Sequence, residues 1–367
     1  MPDHSPPPHP TSPRPTPPGP ASQGPAPARP GSLTEPAGAT PPYYWGIDVG
    51  GTGIKLGLVD DTGRTLAYES LPTREAEGPR AAVRRIAEVI AATESRLGLP
   101  QPSRRCGIGA PGPMDLSTGE LIAPPQLPSW ANFPLRDAVA EAADRPVSFL
   151  NDASAAAYGE YWLGGGRDAG SMVMLTLGTG VGGGIIIEGE LVHGTNSFAS
   201  ECGHMIVDPH PTAELCGWGG GRGQLEAYAS ATGVVRRLRQ RLAAGEASRL
   251  GGDDPESITA KRVYEAAVDG DDLANSVIDE TAIWLGVGVA TLVHVIDPGR
   301  IVLGGAMNFG GSHCPVGRRF LNGVVEEFRR RTFDNVFAGT RVTFAELGSD
   351  AGYLGAAGYA RREAGRG

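Results

Sequence analysis

Six polar side chains and three glycine-rich turns carry the chemistry that this sequence suggests. In GIDVGGTGIKLGLVD an acid, Asp48, ends an apolar run, and Gly50, Gly51 and Thr52 open a turn whose backbone N–H groups could approach a phosphate unobstructed by Cβ atoms. Asp48 could then face a metal-bound phosphate, although such glycines also suit a tight hairpin. LGTGVGGG repeats the device at Gly178, Thr179, Gly180, Gly182 and Gly183, and so many glycines exceed what a turn or packing ordinarily needs. GGAMN follows a third apolar run, where Gly304 and Gly305 could expose backbone to a base or ribose. Between the loops, LNDASAAAYGE places Asn151 and Asp152 where a strand meets a helix. Asp152 there is either an N-cap or a general base, with Asn151 orienting a hydroxyl beside it. Glu201, His204 and Glu226 join them: carboxylates, an amide and an imidazole can meet a polyol as both donors and acceptors. Trp130 could form an apolar wall or belong to the core.

These groups must be positioned by an alternation of short β-rich runs and helical ones, which predicts an α/β protein. Strands are expected at Tyr44 to Val49, Ile54 to Val59, Arg64 to Ser70, Cys106 to Ala110, Val147 to Leu150, Met172 to Leu177, Gly183 to Glu188 and Arg300 to Leu303. Helices are expected at Pro79 to Leu97, Ala153 to Trp162, Leu225 to Leu242, Ala274 to Ile296 and Ala351 to Arg362. One strand-turn-strand unit with a glycine turn falls in each half, so two lobes around a cleft are expected. The boundaries are 43–150 plus 349–367 for one lobe and 151–348 for the other.

Composition limits the partners. Against 32 Lys plus Arg stand 41 Asp plus Glu, with no basic block to neutralise a run of phosphates, so neither nucleic acid nor an anionic membrane is an expected partner. Half of the 32 prolines lie before Tyr43, and Met1 to Pro42 lacks the apolar side chains to bury. That segment is expected to be a disordered tail, dispensable for activity and packing on no core. It lacks the apolar region of a secretory signal, and the four dispersed cysteines suggest no disulfide framework, so a cytoplasmic protein is expected. The apolar run from Ala282 to Ile296 is short for a membrane span and reads as a buried helix.

With GIDVGGTGIK, GAPGPMD, LNDASAAAYGE, LGTGVGGG, ECGH and GRGQLEAYAS in the same order, the chain from Tyr44 to Ala360 resembles the ROK family of repressors and sugar kinases. The resemblance implies a two-lobed ribonuclease-H-like fold of the actin and hexokinase ATPase type, closing over ATP, Mg²⁺ and a hexose. It implies Asp152 as catalytic base, with Asn151, Asp152, Glu201, His204 and Glu226 on the sugar hydroxyls. Asp48 would attend the metal, and Gly50 to Thr52 with Gly178 to Gly183 the phosphates. A homodimer is usual in the family.

Two departures matter. The family's structural zinc is held by the GH histidine and three cysteines of a CxCGxxGC stretch, whereas this chain has CGWGGGRGQ. Cys216 alone remains, with Trp218 and Gln224 near two lost thiolates. No stoichiometric zinc is expected; Trp218 packing and backbone amides would hold Val207 to Gly223, and another group would fix the His204 tautomer. The sugar-loop asparagine is Gln126 here. The resulting expectation is an ATP-dependent hexose kinase acting on glucose. The alternatives are another hexose or an N-acetylhexosamine as acceptor, polyphosphate as donor, or a sugar-sensing regulator that does not bind DNA, since the proline-rich segment cannot be a helix-turn-helix.

Overall fold

The structure is a computed structural model that describes residues 38–217 and 220–365. The disorder expected of the first 37 residues, and the packing expected of Trp218, lie outside the described residues.

The strands β1 (Tyr43–Val49), β2 (Gly53–Asp60), β3 (Thr65–Pro72) and β4 (Arg105–Ala110) precede a short hairpin of β5 (Met114–Asp115) and β6 (Glu120–Leu121). They are followed by β7 (Val147–Asn151), β8 (Met172–Leu177), β9 (Val181–Ile187), β10 (Glu190–Leu191), β11 (Arg300–Gly304) and β12 (Arg341–Phe344). The helices are α1 (Pro79–Leu97), α2 (Leu135–Ala143), α3 (Asp152–Trp162), α4 (Leu225–Ala229) and α5 (Ala231–Ala243). Then come α6 (Ala260–Val268), α7 (Asp272–Ile296), α8 (Pro315–Arg330), α9 (Asp334–Gly339) and α10 (Ala351–Ala364).

Two five-stranded sheets share one topology. The first runs β3-β2-β1-β4-β7 and the second β10-β9-β8-β11-β12. In each, an antiparallel meander supplies three strands and two parallel strands extend it from the first strand. Parallel strands need cover on both faces, and β4, β8 and β11 are buried almost throughout. One apolar core, with Trp45, Ile86 and Leu121, surrounds the first sheet; a second, with Leu175, Leu285 and Phe320, surrounds the second. Helices α3 and α10 cross with almost no separation, because a Cβ on Gly355 would collide with the Ala155 carbonyl, and α10 lies equally close on β4, where a Cβ on Gly107 would collide with the Ala356 carbonyl.

Several expectations need correction. Leu225 to Leu242 is two helices, broken at Ser230, whose hydroxyl caps α5 by accepting from Gly233 N at 3.1 Å. Helices α2, α6, α8 and α9 and strand β12 were not foreseen. Trp130 is fully buried in the first core, so it forms no wall of an open site. The apolar run before Asp297 is part of the 25-residue α7. Among the described residues α7 alone is long and apolar enough to cross a membrane, yet thirteen of its residues are buried, ten of them in the second core, which agrees with the buried-helix expectation. Finally, the end of the proline-rich segment does pack. Thr40 N donates to Asp60 Oδ2 at 3.1 Å, Asp61 N donates to Thr40 O at 2.9 Å, and Ala39 lies against the first core.

Candidate active site

The duplicated topology puts the two glycine turns at equivalent places, between the first two strands of each sheet. At Gly50–Gly53 the turn is closed by Gly50 N donating to Gly53 O at 2.9 Å, and Thr73 Oγ1 donates to Gly50 O at 2.6 Å. None of its glycines has a positive φ, and Gly51 lies against Gln126, so the second departure from the family sits beside this turn. In the other turn, Gly178 N donates to Gly180 O at 2.9 Å, and a Cβ on Gly178 would meet open space. Only Gly178 to Gly180 belong to this turn. Gly182, Gly183 and Gly184 lie within β9, where side chains would strike Thr176 and Ala153, the Ser200 carbonyl and Cys202, and Ala157 respectively. Close packing therefore does demand consecutive glycines here, contrary to the sequence argument. The third loop abuts the second: Gly305 has φ +88°, a Cβ there would collide with the Leu177 carbonyl, and Met307 N donates to Leu177 O at 3.0 Å.

Asp48, next to last in β1, pairs opposite Lys55 and faces Gly352 at the start of α10. Burial pushes its carboxyl above the usual range, and the Lys55 charge offsets this in part. Lys55 Nζ donates to Ser349 O at 2.5 Å.

At the β7–α3 junction the cap is Asn151, not Asp152: Asn151 Oδ1 accepts from Ala153 N at 3.0 Å. Asp152 is the first helical residue and its Oδ1 takes the same N–H at 2.7 Å. Its side chain is open to solvent but recessed among protein atoms. Dehydration there, with the Asp48 and Glu201 charges adding to it against the Ala153 N–H, pushes its carboxyl up to about 6. The GAPGP stretch reaches the same junction, with Gly112 beside the Asn151 amide.

Glu201 and His204 flank one 3₁₀ turn, with His204 Nε2 3.7 Å from Glu201 Oε2. Burial raises the Glu201 carboxyl; His204, when protonated, draws it down and Glu226 pushes it further up. Glu226, in the first turn of α4, accepts from Val181 N at 2.9 Å through Oε2 and from Cys216 Sγ at 2.9 Å through Oε1. Each oxygen keeps a second lone pair for a hydroxyl. Sequence reasoning missed that Glu226 also fastens the second glycine turn to α4, because its partner Val181 is 45 residues away.

The sheets, their shared strand order and the polar groups gathered at β7–α3 define a two-lobed α/β protein of the actin and hexokinase ATPase type. The chain belongs to the ROK family, whose model matches residues 44–363. It is 35% identical over 85% of its length to a glucokinase of Halalkalibacterium halodurans, 93% of which is covered, and 36% identical over 85% to a glucokinase of Thermotoga maritima, 95% of which is covered. Among solved structures it matches a ROK hexokinase from Thermus thermophilus with a TM-score of 0.75 at 31% identity, over 89% of this chain and all of that one. It also matches a ROK family glucokinase from Streptomyces griseus, solved with glucose and AMPPNP, at a TM-score of 0.70 and 34% identity, over 88% of this chain and all of that one.

Proposed function

We propose that this chain is an ATP-dependent glucokinase, transferring the γ-phosphoryl group of ATP to the primary hydroxyl of glucose. The observation that carries the reading is Asp152: a carboxylate with a raised pKa at the strand-helix junction, in a chain that folds a glycine turn into each sheet. Its pKa of about 6 suits a general base at neutral pH, ionised before the reaction yet basic enough to take the hydroxyl proton as the oxygen attacks phosphorus. The products are glucose 6-phosphate and ADP.

Asn151, Glu201, His204 and Glu226 would hold the remaining hydroxyls beside Asp152. Gly50, Gly51, Thr52 and the Gly178–Gly180 turn would attend the phosphates, with Gly304 and Gly305 on the nucleoside side. Open space at Gly178 supports this assignment. Asp48, a buried carboxylate whose dehydration Lys55 offsets only in part, is the side chain that would hold Mg²⁺ together with the nucleotide phosphates. Such an ion neutralises phosphate charge. In this reading the lobes are residues 43–150 with 349–367 and 151–348, and the enzyme works in the cytoplasm, as its dispersed cysteines suggest, and as a homodimer, as the family resemblance implies.

The test is a coupled assay of purified protein over a panel of hexoses and N-acetylhexosamines, with Mg-ATP and with polyphosphate. ADP release is expected with glucose and ATP; no release above background with any sugar would end the kinase reading.

A further inference from the structure

The residues present do not fit the zinc centre of the family. Zinc needs four ligands, normally thiolates and imidazoles. Here Cys216 uses its S–H to donate to Glu226, the position of the last thiolate is the amide of Gln224, and tryptophan at 218 offers no donor pair. Cys202 cannot take their place: it is buried against Gly183, and burial pushes its thiol up to about 12. His210 faces solvent and is held by Thr212 Oγ1 at 2.7 Å.

The segment is tied together by other means. Ile206 pairs with Gln224 and Leu215 with Arg222 as isolated bridges. Val207 N and Asp208 N donate to Gly223 O at 2.8 and 3.1 Å, Gly223 N to Glu214 O at 2.9 Å, and Cys216 N to Gly221 O at 2.7 Å. The Tyr228 hydroxyl donates to Asp208 Oδ2 at 2.7 Å and accepts from Glu214 N at 3.0 Å, which fastens the loop to α4.

Within this frame His204 Nδ1 lies 3.2 Å from Gln224 Oε1. With the amide oxygen of Gln224, which can only accept, turned to Nδ1, the neutral ring carries its hydrogen on Nδ1 and keeps the Nε2 lone pair. That lone pair lies on the Glu201 side, 3.7 Å from Oε2, a separation too long for a bond between them. Two acceptors side by side match a pair of hydroxyls that each donate a hydrogen.

We propose that Gln224 is a positioning residue that replaces the metal bond to His204, fixing the Nδ1–H tautomer so that Nε2 accepts from a sugar hydroxyl, in a loop that functions without zinc. This rests on the hexose kinase reading for its kinetic part only. The tautomer and metal content are properties of the sugar-free protein and can be tested separately.

Three forms of the full chain decide it: the parent, Gln224→Met and Gln224→Glu. Methionine at this position offers His204 no hydrogen-bonding oxygen, whereas a carboxylate can only accept and so preserves the tautomer. With Gln224→Met the KM for glucose should rise about tenfold or more while kcat and the KM for ATP stay within about twofold, and Gln224→Glu should restore the glucose KM to within about threefold of the parent. In ¹⁵N NMR of the sugar-free protein, with His204→Asn assigning the signal, the Nδ1–H form should appear in the parent and in Gln224→Glu and be lost in Gln224→Met. Elemental analysis should find far less than one zinc per chain, and chelation should leave activity unchanged.

The proposal is overturned by about one zinc per chain with activity lost on chelation. It is equally overturned if Gln224→Glu is as impaired as Gln224→Met, or if Gln224→Met keeps the parental glucose KM and tautomer. If the parent phosphorylates no sugar, the kinase reading fails while the NMR and metal measurements still decide the role of Gln224.

Discussion

Asp152 stands under opposed influences: dehydration and the Asp48 and Glu201 charges favour its protonated form, while the Ala153 N–H favours the ionised one. The first group prevails, so the carboxyl is protonated across a window from the ordinary 3.8 up to about 6 in which a solvated aspartate would be ionised. A base is silent when protonated. The kcat/KM for glucose is therefore expected to fall about tenfold per pH unit below about 6 and to level off above it; a profile flat to pH 4.5 would place the base elsewhere. Replacement of Asp152 by asparagine should lower kcat about a thousandfold with glucose binding retained, since an amide cannot take the proton. Turnover and calorimetric sugar affinity measured on one preparation separate the two effects. How much of this was legible depended on the residue. The Asn151–Asp152 pair could be found from its junction, but the sequence left cap and base as rival roles for one residue, whereas the structure gives the cap to Asn151. The partners of Glu226 were not legible, since the glycine turn it fastens is brought near only by the packing of α4 on β9.

At the scale of elements, local signals were readable where periodicity and punctuation agreed. Helix α1 runs over the residues expected, with Val83, Ile86 and Ile90 on one buried face. Helix α8 was overlooked although Phe320, Val324 and Phe328 recur at four-residue spacing, because glycine and arginines interrupt the pattern. The Ser230 break was hidden by the helical run on both sides of it. The glycines of β9 illustrate the reverse difficulty: their number was plain, but whether ligand or packing required them depended on neighbours distant in sequence. Gly183 faces the backbone just before Glu201, and a backbone cannot swing aside as a side chain can. Gly183→Ala should thus cost about 1–3 kcal/mol in urea unfolding and raise the glucose KM by displacing the Ser200–Cys202 segment. Parental stability together with parental KM in that variant would sink the packing account.

Over the whole molecule, the repeated strand order places each glycine turn at one end of its sheet and leaves the opposite end to architecture. That separation bears on the chain before Tyr43. Asp60 is buried, and its carboxylate accepts from Thr40 N as well as from Thr62 N, Thr62 Oγ1 and Arg64 N, so the last residues of the proline-rich segment help close the β2–β3 turn. Composition could not reveal this, because Thr40 contributes backbone hydrogen bonds, which any residue but proline can make in full. A chain starting at Gly38 should match the full-length protein in both Tm and turnover. A chain starting at Tyr43 leaves Asp60 Oδ2 without its Thr40 donor and Asp61 N without its acceptor, and should lose about 2–5 °C in Tm. Its kcat and glucose KM should nevertheless remain parental, since the eight residues of β2 hold this turn roughly 25 Å from Gly53. Scanning calorimetry and steady-state assays on the three lengths test both halves of the argument. Equal Tm values for all three would remove the role given to Thr40, and a loss of turnover in the chain starting at Tyr43 would mean that the two ends of the first sheet are coupled.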